Sequence, residues 1–200
     1  LVKERVLKKI ALVAAAAAAA VLSLSTAAHA EGVIAGAALG QAHLDVDCTG
    51  TTSCKDNNTG GKLMAGYKWD NGFAVEASYI DFGKFSAGVT GATLDVKPYA
   101  LGVSGAFYAP IANDWALSVR LGVARVHTGV DATVTGLGSG SDSTDSTQAL
   151  AGIGVSYMIN KAASLDLAFD STRAEYSNSA ANVDEKGTLR LISLGLTYRF

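Results

Sequence analysis

Beyond residue 30 the sequence lacks any apolar run near 18 residues long, and a helix needs roughly 20 to cross a bilayer. A helical membrane protein is thereby excluded, and any membrane crossing must be made by strands. The chain also lacks a basic excess, with 16 Lys and Arg against 18 Asp and Glu. It therefore carries no electrostatic footprint for nucleic acid. Cysteine is scarce, with two in 200 residues, too few for a structural zinc site without a second pair nearby. Of three histidines, only His43 and His127 lie beyond the N-terminal leader.

That leader holds Lys3, Arg5, Lys8 and Lys9, an alanine-rich apolar run from about Ile10 to Leu24, and Ala28-His29-Ala30 before Glu31. Residues 1–30 thus read as a cleaved secretory signal peptide, its apolar core of roughly 15 residues falling short of a span. Its removal leaves twelve Lys and Arg against seventeen Asp and Glu, a net charge near −5. Residues 31–200 amount to one domain.

From Gly32 onwards, apolar residues alternate with small or polar ones at the period of two that marks strands. Val33, Ala35, Ala37 and Leu39 share a face against Gly36, Ala38 and Gly40. Leu63, Ala65, Tyr67 and Trp69 alternate with Lys62, Met64, Gly66 and Lys68, then Asp70-Asn71-Gly72 makes a tight turn into Phe73, Val75, Ala77 and Tyr79, which alternate with Ala74, Glu76 and Ser78. Centring that hairpin on Asn71 sets Trp69 opposite Phe73, Tyr67 opposite Val75 and Gly66 opposite Glu76, which keeps both faces consistent. A strand over about 94–107 turns Tyr99, Leu101, Val103 and Phe107 outward, and after a turn at about 110–114 the next alternates Leu117, Val119, Leu121 and Val123 with Ser118, Arg120 and Gly122. Two more follow at about 148–158 and from Leu165, the latter with Leu167 and Phe169 outward and Asp166, Ala168 and Asp170 inward. The last strand sets Ile192, Leu194, Leu196, Tyr198 and Phe200 against Leu191, Ser193, Gly195, Thr197 and Arg199, a second face that is small or polar.

The count is eight. Polar stretches at about 43–61, 83–92, 128–147 and 171–187 read as long loops, and they alternate with short turns. An unpaired strand edge cannot sit in hydrocarbon, so the last strand must close on the first. The expected fold is all-β, an eight-stranded antiparallel up-and-down transmembrane β-barrel with its long loops at one end. Trp69, Phe73, Trp115 and Tyr157, with Phe107, Tyr198 and Phe200, lie at the short-turn end and would form an interfacial girdle. A soluble lipocalin-like barrel has an apolar interior, against which Glu76, Arg120 and Asp166 argue.

The leader, F-A-V-E-A-S-Y-I-D-F-G-K at 73–84, R-L-G-V-A-R at 120–125 and the terminal Y-R-F at 198–200 carry a resemblance. Over essentially all of residues 31–200 the chain resembles the transmembrane barrels of the outer membrane protein A and X type. The resemblance implies a place in the outer membrane with the loops outside and both termini periplasmic. It also implies insertion by the outer-membrane assembly machinery, with Tyr198 and Phe200 of the terminal strand as recognition signal. Since the sequence stops at Phe200, the peptidoglycan-binding domain of longer members is not expected. Ala168 stands where the seventh strand of such barrels often carries half of an inward charge pair, which implies a different internal network.

Lys62, Lys68, Glu76, Arg120, Asp166 and Asp170 face the lumen by parity. An eight-stranded barrel is just filled by its side chains, so these charges are expected to pair and plug it, a gated polar pore being the alternative. Cys48 and Cys54, both in the first loop of an exported chain, are expected to form a disulfide. Asp45, Asp47, Thr49 and Asp56 have some spacing of a calcium loop but lack its flanking helices and closing Glu, and no metal or other cofactor is expected. A hydrolase would need His43 or His127 within hydrogen-bonding reach of a serine such as Ser104 or Ser118, and no motif singles either serine out. The expected function is a non-enzymatic surface scaffold whose four exposed loops meet an external partner or the envelope's own lipid and lipopolysaccharide. A narrow channel and a lipid-modifying enzyme are the alternatives.

Overall fold

The computed structural model describes residues 31–45, 51–136, 138–178 and 183–200. The expected leader lies outside the described residues, as does Cys48. The strands are β1 (Gly32–Asp45), β2 (Ser53–Lys55), β3 (Asn57–Lys68), β4 (Phe73–Asp81), β5 (Phe85–Val89), β6 (Ala92–Ala112), β7 (Trp115–Val134), β8 (Gly138–Met158), β9 (Ala163–Asn178) and β10 (Val183–Arg199).

Eight of these close a ring. In order round it they are β1, β3, β4, β6, β7, β8, β9 and β10, every neighbouring pair antiparallel, with β10 returning to β1 from Ile34↔Arg199 to Asp45↔Thr188. The expected eight-stranded barrel is the observed one. Closure leaves the ring no free edge, the condition for strands in hydrocarbon. The β3–β4 hairpin has the expected register, Tyr67↔Val75 and Gly66↔Glu76. Gly72 turns it at φ 85°, a value that a Cβ would strain, and its N–H donates to the Trp69 carbonyl at 3.1 Å.

Beyond the apolar band the wall differs from expectation. The stretch at 128–147, read as a loop, is mostly strand: β7 and β8 stay paired as far as Val134↔Gly138. At 171–187 likewise, β9 and β10 pair out to Val183↔Asn178. The loop at 83–92 contains β5, which pairs with β6, and the loop at 43–61 gives up its ends to β1 and β3 and holds β2, which pairs with β5. A ladder needs backbone donors and acceptors, not hydrophobicity, so alternating Gly, Ser, Thr and Asp continue a strand without any hydropathy period to announce it. At the short-turn end β6 runs on through a bulge between Pro110 and Ala112, and Ala112 pairs with Trp115.

The lumen has two layers. Towards the long hairpins Leu44, Ile80, Phe82, Phe85, Val126, Leu150, Leu189 and Leu191 pack into one buried apolar cluster, with Val96 against it. The inner face of β10, expected to be small or polar, is apolar here because Leu189 and Leu191 lie wholly buried at its outer end. Below this layer the lumen is polar and charged.

Candidate functional site

Strand parity aims Lys62 from β3, Glu76 from β4, Tyr108 from β6, Arg120 from β7 and Asp170 from β9 into the polar layer. Arg120 Nε donates to Glu76 Oε2 at 2.5 Å and its Nη1 to Asp170 Oδ1 at 3.2 Å. Lys62 Nζ donates to Asp170 Oδ2 at 2.7 Å, and the Tyr108 hydroxyl to Glu76 Oε1 at 2.5 Å. Two cations and two carboxylates thus form one neutral chain across the lumen. Each of the four charged side chains is at most 5% exposed, so their mutual pairing offsets a large desolvation cost.

Gly152 on β8 makes room for this chain, since the register runs Arg120↔Gly152↔Asp170. A Cβ there would lie 2.6 Å from Asp170 Oδ1 and 3.2 Å from Arg120 Nη1. Gly152→Ala is therefore expected to cost about 1–3 kcal/mol by overpacking, read as a lowered urea midpoint for the refolded barrel.

The six charges expected to share a network divide. Lys62, Glu76, Arg120 and Asp170 meet, while Lys68 and Asp166 stand apart from them. Lys68 Nζ lies 4.4 Å from the centroid of the Tyr108 ring, a cation–π contact. Asp166 accepts from the Ser164 hydroxyl at 3.2 Å, and both Lys68 and Asp166 line a cavity at the short-turn end together with Tyr108, Ser156 and Thr197. Tyr108 was not anticipated, although parity with inward Ser104 and Ala106 identifies it.

The aromatic residues at the short-turn end pack in pairs. Trp115 and Tyr157 pack at 5.0 Å between ring centroids, Phe73 and Phe107 at 4.8 Å, Tyr67 and Trp69 at 5.3 Å. A second aromatic belt lies at the other edge of the apolar band, where Tyr79 meets Tyr99 at 5.8 Å and Tyr99 stacks on His127 at 4.9 Å. Two belts bracketing an apolar wall are the mark of a membrane barrel. In the terminal strand Tyr198 pairs with Ala35, and Phe200 follows the end of β10.

The wall keeps the candidate catalytic groups apart. Ser104 and Ser118 are buried in the lumen, whereas His43 and His127 lie on the outer face. There His43 Nδ1 is 3.2 Å from Asn57 Oδ1, and His127 Nδ1 is 2.9 Å from Asp145 Oδ1. Asp45 is bound to Arg190 at 2.8 Å, and Asp47 and Thr49 fall outside the described residues. Cys54, exposed on β2, is disulfide-bonded.

Ion pairs fasten the outer hairpins. Lys84 Nζ reaches Asp95 Oδ2 at 2.6 Å, the Ser86 hydroxyl donates to Asp95 Oδ1 at 2.7 Å, and Lys97 Nζ reaches Asp131 at 2.8 Å. Hydrogen bonds from Lys84 and Ser86 hold the Asp95 carboxyl below its ordinary 3.8. The stabilisation is complete above that ordinary value and is lost as pH falls through the lowered one. A carbon NMR titration of the Asp95 carboxyl is expected to show a midpoint below 3.8, rising towards it in Lys84→Ala.

Residues 28–200 match the family model described as the OmpA-like transmembrane domain. The chain belongs to this family. Among solved structures, the OmpA-like barrel is similar to Neisserial surface protein A at 17% identity and TM-score 0.62, over 86% of this chain and 98% of that one. It is similar to Ail, the attachment invasion locus protein of Yersinia pestis, at 20% identity and TM-score 0.53, over 85% and 97%. A major outer membrane protein of Thermus thermophilus aligns at 15% identity and TM-score 0.53, over 86% and 100%. These likenesses are of fold. No curated protein sequence matches the chain.

Proposed function

We propose that this OmpA-like barrel is a non-enzymatic surface scaffold of the outer membrane, closed to solutes, whose long hairpins meet an external partner. The observation that carries this reading is the double closure of the lumen, an apolar layer above a neutral ion-paired one. A narrow channel would need a continuous polar path, and the layer of Phe82, Leu150 and Leu191 interrupts it. In the same reading the long hairpins face outward with both chain ends periplasmic. Tyr198 and Phe200 present the terminal strand to the assembly machinery, Cys48 pairs with Cys54, and the wall contacts lipid and lipopolysaccharide.

The neighbour Ail has also been crystallised in complex with the heparin analogue sucrose octasulfate. The long-hairpin segments of this chain, 45–56, 81–97, 125–147 and 173–190, hold eleven Asp and Glu against seven Lys and Arg. Such a rim favours a neutral or basic partner surface over a polyanion. The folded protein is expected to pass a heparin column at physiological salt; retention would contradict this choice of partner.

Orientation is tested by protease on intact cells. Cleavage is expected at the tip between β7 and β8, about residues 135–138, and not at the turns 69–72 or 113–114. Cutting only at those short turns, or only after the outer membrane is opened, would overturn the reading.

A further inference from the structure

We propose that the outer face of the β9–β10 hairpin binds a phosphate group of an outer-leaflet lipid, through Arg173 and Arg190 with the hydroxyls of Ser171 and Thr188. The proposal rests on the reading that the long hairpins face outward, and it assigns a ligand site on the wall beneath them.

The register pairs Arg173 with Thr188 and Ser171 with Arg190. Two guanidinium groups and two hydroxyls therefore occupy the corners of one square of the ladder, all on the outer face. The two arginines stand on the diagonal of the square, where neighbours start about 7–8 Å apart, a span that two long guanidinium side chains can close on a single tetrahedral anion. One step down on the same face lie Phe169, 37% exposed, and Ile192, 57% exposed, which end the apolar run on that outer face. The square thus sits where the apolar band ends, at the depth of lipid head groups. Planar guanidinium forks match phosphate oxygens, and an anionic leaflet draws cations to this level.

The square is open on its β8 side and bordered on its β1 side by Asp45, which stands opposite Thr188. On β8 the flanking outward residues are Ala149 and Ala151, the latter opposite Ser171. On β1, His43 stands opposite Arg190. Arg190 Nη2 is held by Asp45 at 2.8 Å, which fixes the guanidinium and leaves its remaining N–H groups to donate. Arg173 is exposed and makes no ion pair with the described side chains.

The test uses the full barrel refolded into phosphatidylcholine bilayers, followed by its heat-modifiable gel shift. Adding bis-phosphorylated lipid A is expected to raise the unfolding temperature, and dephosphorylated lipid A is not. In R173Q/R190Q the apparent affinity for lipid A should fall roughly tenfold or more, with recovery in part in R173K/R190K. An equal rise in wild type and R173Q/R190Q would overturn the proposal. So would an equal rise from inorganic phosphate alone, which would make the ligand a free anion. Binding in these symmetric bilayers is indifferent to orientation. A barrel that binds lipid A here but fails the protease test on cells would sink the outward reading and spare the site.

Discussion

Arg120→Met is expected to lower the unfolding free energy by about 3–5 kcal/mol, the cost of leaving a buried charge without its partner. The direction follows from what remains: Glu76 keeps only the Tyr108 hydroxyl, and Asp170 keeps only Lys62. Two carboxylates would then share a buried layer with a single amine. The loss should be greatest in the single variant. Adding Glu76→Gln removes the orphaned charge as well, so the double variant should recover part of the stability, a coupling of the kind that a double-mutant cycle isolates. Urea unfolding of the refolded protein, read by the gel shift, measures all four corners of the cycle. Strictly additive losses would mean that Arg120 and Glu76 do not act as a pair.

Phe82→Ala should cost a similar amount, about 3–5 kcal/mol. Phe82 is 1% exposed and sits in the apolar layer with Ile80, Leu150 and Leu191. Its removal deletes a large side chain from a closed ring of strands that cannot collapse inward to refill the space. The cavity left behind is lined by apolar atoms and should stay dry. The variant is therefore expected to be less stable and still impermeable. Its urea midpoint tests the first part, and a marked gain in conductance would contradict the second.

Period-two alternation made the eight crossings legible, together with the lumen-facing side of Lys62, Glu76, Arg120 and Asp170 and the aromatic belt at the short turns. Parity assigns a side chain to a face but not to a partner. Lys62 and Asp170 stand 108 positions apart, and only ring closure and its register bring them together. For that reason Lys68 and Asp166 were expected in a network that they flank instead. Beyond the apolar band the period-two hydropathy pattern fades, so paired strand at 128–147 and 171–187 reads as loop. The apolar layer was obscured for a related reason. Leu44, Leu150, Leu189 and Leu191 each lie where a lipid-facing alternation gives way to a loop-like stretch, so no single strand displays the cluster that they form together.

The most direct test of a closed lumen is the single-channel conductance of the folded barrel in a planar bilayer. A silent membrane is expected, in wild type and in Glu76→Gln alike. Discrete openings in the wild type whose size or frequency changes in Glu76→Gln would contradict it and make the ion-paired chain a gate.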